Sequence, residues 1–570
     1  RYMLPYAKWY AAGTLCLWLT NWIAVTIPLY VAEGIDALAK GPAGRDTALS
    51  SALVVAVLGV IVIGIRTASR LLFFTPGRLV EAEVKHDVFA RILAHQPSTL
   101  DRFATGDLIS RVSNDAGMVR MLAGFASLGV VNTVAALTLT GSQMVRISPT
   151  LAALAALPLL GSFLVIQVFM TQLHRITRAM QDLSGELSEA ALSSYQGVAT
   201  IQAFGAGPAF EARFEEKNQA FLKVVLQRAN VRTVFGPILS LGAAVNVFLL
   251  LRYGGPQAIT GELSVGDLVA FMTLVAYLTG PMRGMSFIFA LVKQSQASLE
   301  RLEEVLDVPL DRPDLPDPAP PPGEAPAIEV HGLTFTYPGE TSPTLRDISF
   351  SLPAGGTLGV VGPTGSGKTT LLRVLARLYD PPADAIRIDG TCVRCIDLDG
   401  WREAMTLVPQ KSYLFSESLA DNILLGGPRG GLDALVALAA LDVDVAALPE
   451  GVETQVGEAG VTLSGGQRQR TALARGLARP GRVLMLDDVL SAVDHKTEQQ
   501  LVDVLRSRSP RPTTVLVAHR LSALQHADLI LVLDGGRVVD SGTHAELLAR
   551  DGIYRDTWLH QTESEGGGHG

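Results

Sequence analysis

The sequence is poor in cysteine, in aromatic residues and in excess positive charge. Its 570 residues include three cysteines, and aromatic residues make up 6% of the chain. Three cysteines are too few for a disulfide framework, which favours a reducing cytosol for the soluble part. Cys392 and Cys395 have metal-ligand spacing but lack the second pair of a zinc site, so we expect two ordinary thiols. The net charge of −8 argues against a nucleic-acid partner, which requires a basic face.

Long apolar runs are abundant in the first half of the chain. A helix that crosses a bilayer needs about 20 apolar residues. Six stretches meet this test, at 10–30, 51–74, 122–144, 151–170, 234–252 and 267–292. The long connections after the second and fourth stretches carry many basic residues, and the positive-inside rule places them in the cytoplasm. Both connections show amphipathic helical spacing, so we expect helices that project beyond the bilayer.

A proline-rich stretch separates this half from a different pattern. Pro318 and the prolines at 320–322 are typical of a stiff, unpacked linker. Short β-rich runs alternate with helical patterns after it, which indicates a largely parallel α/β sheet. We therefore predict a transmembrane domain, a linker, an α/β domain and a flexible tail, over 1–307, 308–327, 328–560 and 561–570.

A glycine-rich motif follows the β-rich run 358–361 and opens a helical pattern, the context of a phosphate-binding loop. Backbone N–H groups can converge on phosphates there, Lys368 supplies a positive charge, and the Thr369 hydroxyl can bind Mg²⁺. The predicted nucleotide contacts are Gly362, Thr364, Gly365, Ser366, Gly367, Lys368, Thr369 and Thr370. Asp487 ends another buried run, 483–486, and is suited to hold Mg²⁺ through water.

The pentapeptide at 463–467, Leu-Ser-Gly-Gly-Gln, follows the phosphate loop further along the chain. The two motifs in this order resemble ATP-binding cassette (ABC) proteins, and the whole chain resembles one half of a multidrug-type ABC exporter. The resemblance implies an all-α six-helix transmembrane domain with long cytoplasmic helical extensions, followed by an α/β P-loop NTPase cassette. It also implies that the signature residues contact ATP bound to a partner chain; these are Ser464, Gly465, Gly466 and Gln467.

The same resemblance assigns roles to other positions. Gln410 matches the Q-loop glutamine, which lies near Mg²⁺. His519 matches the switch histidine, which contacts the γ-phosphate. Tyr337 matches the aromatic residue that stacks on adenine. Asp494 lies in a segment like the D-loop of the dimer interface, and 454–458 looks like the X-loop of exporters. Segments 106–111 and 197–204 look like the intracellular extensions, whose tips are coupling helices in that family.

Asp488 departs from the family pattern, because members that hydrolyse ATP carry glutamate at this position. Its side chain is one methylene shorter, and a displacement of about 1 Å in a positioning group can cost about a hundredfold in rate. We expect slow hydrolysis at this site, unless backbone movement restores the carboxylate. The substitution resembles the degenerate-site subunit of bacterial heterodimeric exporters.

The resemblance to ABC exporters implies ATP-driven export by alternating access across the bacterial cytoplasmic (inner) membrane. ATP and Mg²⁺ are the expected cofactors, and the expected partner is a second half-transporter with Glu after its Walker B Asp. The cargo is left open among small molecules, lipids, peptides and siderophores. Two alternatives also stand: a homodimer with slow sites, and an ATP-gated channel or regulatory subunit. Asn21, Gln143 and Gln167 are polar positions within the spans that could face a cavity or bond neighbouring helices.

Overall fold

The computed structural model describes residues 1–310, 318–457, 461–479, 481–489, 498–499, 502–503 and 511–566. The chain divides into two compact units. The first comprises Arg1–Leu93 and Thr105–Pro309, and the second comprises Ala94–Ala104 and Leu310–Gly570. The first unit is helical and the second is an α/β domain, as the sequence predicts.

Long helices dominate the first half of the chain. Its α-helices are α1 (Ala7–Ala39), α2 (Arg45–Ala94), α3 (Pro97–Leu100), α4 (Thr105–Ser110), α5 (Ala116–Met121), α6 (Ser127–Ile147), α7 (Pro149–Gln196), α8 (Val198–Ala203), α9 (Gly207–Thr260) and α10 (Val265–Leu306). Single π-helical turns, Arg111–Asp115 and Leu122–Ala126, join α4, α5 and α6 into one continuous rod. The short helix α3 belongs to the second unit.

Each of the six predicted spans lies in a separate long helical segment. Among the described residues, five segments are long and apolar enough to cross a membrane: Leu4–Ala39, Gly41–Ala94, Thr105–Ile147, Pro149–Gln196 and Val265–Leu306. The remaining predicted span, 234–252, lies in α9 and includes side chains outside the described set. The helical transmembrane architecture is therefore confirmed.

An ion-pair cluster joins α4 to the end of α10. The guanidinium of Arg111 is buried and lies 2.7 Å from carboxylate oxygens of both Asp107 and Glu304. Arg301 pairs with Asp107 and lies 3.2 Å from the Asp115 carboxylate. Charges are costly in hydrocarbon, so this cluster supports the prediction that these helix ends project beyond the bilayer.

The second unit contains two β-sheets. Its strands are β1 (Ile328–Phe335), β2 (Leu345–Leu352), β3 (Thr357–Val361), β4 (Ile386–Ile388), β5 (Thr391–Cys392), β6 (Met405–Val408), β7 (Val483–Asp487), β8 (Thr513–Val517), β9 (Leu529–Asp534) and β10 (Arg537–Gly542). One sheet is antiparallel, in the order β2-β1-β4-β5. The other has the order β10-β9-β3-β8-β7-β6 and is parallel except for β10. The carboxyl ends of β3, β6, β7 and β8 therefore meet at one edge.

Helices cover these sheets and form a separate helical layer. They are α11 (Lys368–Leu375), α12 (Leu398–Ala404), α13 (Leu419–Leu424), α14 (Leu432–Leu438), α15 (Asp442–Ala447), α16 (Gly465–Ala478), α17 (His544–Leu548) and α18 (Ile553–Gly566). Helices α13, α14 and α16 share an apolar cluster that includes Leu419, Val436 and Leu463. Burying such side chains contributes about 1.5–3 kcal/mol each, which stabilises the packing of these three helices.

The proline-rich stretch is packed where the structure describes it, contrary to the expectation of an unpacked linker. Ala327 N–H donates to Asp389 at 2.8 Å, and Thr513 donates to the Pro326 carbonyl at 2.6 Å. Proline lacks an N–H donor, but its carbonyl still accepts hydrogen bonds, so the cassette holds residues 318–327 in place. At the other end, α18 extends to Gly566, into the stretch for which the sequence predicts a tail.

Candidate nucleotide site

The phosphate loop runs from the end of β3 into the first turn of α11. Gly365 and Gly367 have φ of 82° and 99°, the left-handed region that side chains disfavour. A Cβ on Gly367 would also lie 2.8 Å from the Leu345 side chain. The loop borders a cavity of about 260 Å³ whose lining includes Lys368 and Thr369. Glycine thus leaves room for backbone N–H groups to surround an anion at a helix N-terminus.

Lys368 is nearly buried beside two carboxylates. Burial lowers the pKa of its ammonium, while Asp488 and Asp487 oppose that shift. Its Nζ donates to the carbonyls of Gly362 and Pro363, both at 2.8 Å. The pKa of Asp487 is raised, chiefly by burial, although its hydrogen bond from Thr369 lowers it. Both charges are poorly hydrated, and a phosphate beside Lys368 or a cation beside Asp487 would relieve that cost.

Two oxygen ligands and an orphaned hydroxyl fit a nucleotide with its metal. Thr369 Oγ1 donates to Asp487 Oδ1 at 3.2 Å, so the oxygen atoms suited to Mg²⁺ lie side by side. The buried Ser366 hydroxyl has no hydrogen-bond partner in the described part of the chain. A buried polar atom without a partner is rare in folded proteins, so this cavity has unsatisfied hydrogen-bonding capacity for a ligand.

Asp488, Gln410 and His519 line the same cavity. Gln410 Nε2 donates to Asp488 Oδ2 at 3.1 Å, and His519 Nε2 lies 3.7 Å from the same oxygen. The Asp488 N–H donates to the Val517 carbonyl at 3.0 Å, continuing the pairing of β7 with β8. The structure therefore brings together the three residues that sequence motifs place far apart in the chain.

Tyr337 lies beside the phosphate loop within a cluster of three aromatic rings. Its hydroxyl shares a 3.1 Å hydrogen bond with Thr370 Oγ1. Its ring packs edge-to-face on Phe335 and Tyr379, with centroids 5.2 Å and 5.0 Å apart. Tyr337 is thus fixed next to the predicted nucleotide contacts, in a position compatible with its predicted contact to adenine.

The signature residues lie outside this cavity. Ser464 caps α16: it accepts from Gln467 N–H at 3.3 Å, and the Gln467 side chain accepts from Ser464 N–H at 2.8 Å. Ser464 and Gly465 are exposed, while Gly466 and Gln467 are partly exposed. An exposed, capped helix N-terminus can bind an anion, but this one does not border the chain's own phosphate cavity.

Some predictions fall partly or wholly outside the described residues. Asp494 and the rest of the 491–494 segment lie there, as does the end of the 454–458 segment. Cys392 and Cys395 are free thiols. The searched residues contain no group of three or more His, Cys, Asp or Glu side chains that could hold a metal ion.

Polar contacts around α3 were not predicted from the sequence. Residues 94–104 belong to the cassette unit. Gln96 Nε2 donates to Asp380 at 3.2 Å, and the Tyr379 hydroxyl donates to Asp101 at 3.1 Å. The resemblance to ABC exporters pointed to 106–111 instead, which overlaps α4 and belongs to the first unit. Proline after Gln96, which disfavours helix at the preceding residue, is the signal that could have located this turn.

Comparisons with known proteins agree with this architecture. The family model for the ABC transporter transmembrane region matches residues 10–282, and the model described as ABC transporter matches residues 345–491. The solved structure of a bacterial Atm1-family ABC exporter with ATP bound superposes with a TM-score of 0.80 at 26% identity. That similarity covers 97% of this chain and 98% of the other.

Curated relatives extend the similarity to complete transport proteins. A probable multidrug resistance ABC transporter ATP-binding/permease protein, YheI of Bacillus subtilis (strain 168), is 35% identical over 87% of this chain and 86% of its own length. An ATP-dependent lipid A-core flippase from Alkalilimnicola ehrlichii is 32% identical over 86% of this chain and 83% of its own length. The chain therefore belongs to the ABC transporter family, as an exporter chain in which a helical transmembrane region precedes a cassette that binds and hydrolyses ATP.

Proposed function

We propose that this chain is one half of a heterodimeric exporter and that its own ATP site is the weak one. The substrate would be a small or amphipathic molecule, moved by alternating access across the bacterial cytoplasmic membrane. The observation that carries the proposal is Asp488, which lies in the phosphate cavity at the position where hydrolysing members have glutamate.

The surroundings of Asp488 support a weak site. Its backbone N–H is bound to the neighbouring strand through Val517, so a shift of the backbone toward the cavity would break a sheet hydrogen bond. Its carboxylate is already held by Gln410. A shorter side chain on a fixed backbone keeps the carboxylate back from the attacking water, and about 1 Å of misplacement can cost about a hundredfold. This argues against restoration by backbone movement.

Within the proposal, the site still binds a nucleotide. Lys368 and the loop N–H groups would hold the phosphates, and Tyr337 would contact the adenine. Thr369, Gln410 and Asp487 would hold Mg²⁺, which supplies positive charge against the phosphates. His519 can donate one hydrogen bond from a neutral ring. The chain's residues thus bind and orient ATP well but position water poorly.

The exposed signature supports the pairing of two chains, and Asp488 makes the proposed pair asymmetric. Because Ser464 does not border this chain's phosphate cavity, its anion-binding N-terminus is available to ATP held by a partner. In a heterodimer that partner would carry Glu after its Walker B Asp, and this signature would complete the productive site. A homodimer would instead contain two sites with Asp488. An ATP-gated channel or regulatory subunit remains the second class of function.

Expression of the chain with and without a partner tests the proposal. We expect low ATPase activity from the chain alone and much higher activity once a half-transporter with the glutamate is co-expressed. Brisk hydrolysis by the chain alone would contradict the heterodimer. ATP-dependent accumulation of substrate in inside-out vesicles against a gradient supports pumping, whereas passive flux at full ATP occupancy would favour the channel.

Asp488→Glu should raise the turnover of the assembled transporter only modestly, by about twofold or less, because at most one further site becomes competent beside a dominant one. The change restores the missing methylene and so removes the misplacement penalty. The measurement is steady-state ATP hydrolysis, with Asp488→Asn as the variant that has no carboxylate. A many-fold rise would show that this site limits the cycle and would contradict the assignment of the dominant site to the partner.

A further inference from the structure

The transmembrane unit contains a cavity of about 590 Å³, which is within the range of small-molecule pockets. It lies among α1, α2, α6 and α10, together with the π-helical turn before α6. Two of its lining residues are arginines, Arg66 and Arg70. They are four residues apart on α2 and therefore share one helix face.

These arginines are unusual because of their depth in the predicted span and because neither pairs with an acidic side chain among the described residues; Arg66 interacts electrostatically with Tyr277. At a rise of about 1.5 Å per residue, Arg66 lies about 12 Å inside the predicted span that ends at Phe74. No ion pair among the described residues includes Arg66 or Arg70, and both arginines are exposed. An arginine in a span costs about 2.5–3.5 kcal/mol on insertion scales, so such a residue usually has a function. Two arginines in one cavity whose lining includes no acidic residue produce a site of net positive charge.

The rest of the lining is amphipathic. Phe125 and Phe287 pack edge-to-face with centroids 5.7 Å apart and offer an aromatic wall. On the polar side, Tyr277 donates to Asn21 at 2.9 Å, and Asn21 donates to Asn132 at 3.1 Å. Asn21 is buried, and its hydrogen bonds link α1, α6 and α10, so bonding between helices explains this polar residue within a span. Tyr277 and Asn132, in contrast, border the cavity.

We propose that this cavity binds amphipathic anions, in which a carboxylate or phosphate pairs with Arg66 and Arg70 while an apolar body lies against the phenylalanine pair. Guanidinium groups bind such oxyanions through charge-assisted, often bidentate hydrogen bonds. The inference names a substrate class and so rests on the proposed export function. The anion could be a soluble molecule or the headgroup of an anionic lipid, and both present the same chemistry.

Equilibrium binding without nucleotide tests the proposal independently of ATP hydrolysis. The transporter, purified with any subunit that accompanies it, is titrated with a dansyl-labelled alkyl carboxylate, alkyl phosphate and alkyl ammonium of equal chain length. We expect both anions to bind about tenfold or more tightly than the ammonium, because one charge-assisted hydrogen bond suffices for that ratio. Equal affinities of the three probes would overturn the proposal, even if no variant could be made.

Variants of the two arginines, with a matched control, test whether these residues cause the preference for anions. Arg66→Gln with Arg70→Gln should remove the preference for anions, whereas lysine at both positions should retain most of it. Arg45→Gln removes an exposed arginine that does not line the cavity, and this control should keep the preference. Discrimination that survives in the double glutamine variant would assign anion binding to another place and overturn the proposal.

A cavity-filling variant tests the role of the cavity's space while leaving the arginine charges in place. A Cβ at Gly284, which lines the cavity, would meet no atom within 4 Å, so Gly284→Leu has space to extend into it. It should weaken all three probes, and unchanged anion binding in this variant would place the site elsewhere.

Vesicles of phosphatidylglycerol should displace the anionic probe if a lipid headgroup is the ligand, whereas vesicles of phosphatidylcholine should not. Retained probe binding with both lipids supports a soluble anion.

An absence of ATP-driven transport together with intact anion selectivity would contradict the proposed function and leave this site standing. The reverse result, pumping without anion selectivity, would reject the site alone.

Discussion

Replacing Ser464 with arginine is expected to lower ATP hydrolysis by the assembled transporter about a hundredfold or more. In the proposed heterodimer, the α16 N-terminus approaches the γ-phosphate held by the partner, and the small side chain permits that approach. Arginine would hold the helix end back, and about 1 Å of displacement is enough for a loss of this size. The measurement is steady-state phosphate release by the purified pair.

Lys368→Ala is the matched comparison, because it damages this chain's own site and leaves the signature intact. We expect it to weaken nucleotide binding here but to lower turnover only by about twofold to threefold, since the partner's site would dominate in the proposed heterodimer. Loss of the Ser464 cap costs about 1 kcal/mol of stability, so thermal melting of each variant checks that the fold remains. Equal collapse of activity in both variants would indicate two equivalent sites and therefore the homodimer.

Local motifs made the nucleotide site predictable from sequence. The phosphate loop has backbone requirements, such as positive φ at Gly365 and Gly367, that few other residues can meet. Apolar runs ending in Asp487 and His519 required parallel strands whose carboxyl ends meet at one edge, and β7 and β8 have that arrangement. The residues that flank each of these side chains specify the loop or strand end on which it lies. Their assembly into one cavity could therefore be predicted from local sequence.

Long-range contacts were not predictable in the same way. The proline-rich stretch reads as a linker by composition, yet its donors and acceptors are satisfied by Asp389 and Thr513, which lie far along the chain. In the sequence, Arg66 and Arg70 are two basic residues within the second predicted span, and no motif assigns them a role. Only the packing of four helical segments shows that both border a cavity. Sequence periodicity specifies which face of a helix is apolar, but not which other helix covers it.

A chain of direct contacts joins the nucleotide loop to α3. Tyr337, bonded to Thr370 of the phosphate loop, packs edge-to-face on Tyr379, and Tyr379 donates to Asp101. Burial and the Asp101 hydrogen bond raise the pKa of Tyr379 to about 12. The hydroxyl therefore keeps its proton throughout the physiological range. A shift of Tyr337 on nucleotide binding would be transmitted through rings with little freedom to move independently.

Asp101→Ala is expected to lower substrate transport about tenfold while ATP hydrolysis stays within about threefold of the unmodified transporter. The change removes a charge-assisted hydrogen bond of about 1.5–3 kcal/mol between α3's segment and the cassette. Because α2 leads directly into this segment, weakening it should disconnect nucleotide-driven movement from the spans. The measurements are ATP-dependent accumulation of a fluorescent substrate in inside-out vesicles and phosphate release in the same vesicles.

Tyr379→Phe removes the other half of the same hydrogen bond but keeps the ring that packs on Tyr337 and Phe335. It should reproduce the loss of transport, and the double variant should be no worse than either single one, because both changes delete one shared interaction.

Losses that multiply in the double variant would mean that Asp101 and Tyr379 act separately. A parallel fall in hydrolysis and transport would mean that the contact supports the cassette's fold rather than its connection to the spans. The expected result is a non-additive loss confined to transport, because the ring cluster and the nucleotide contacts remain intact while only the bond to α3's segment is broken.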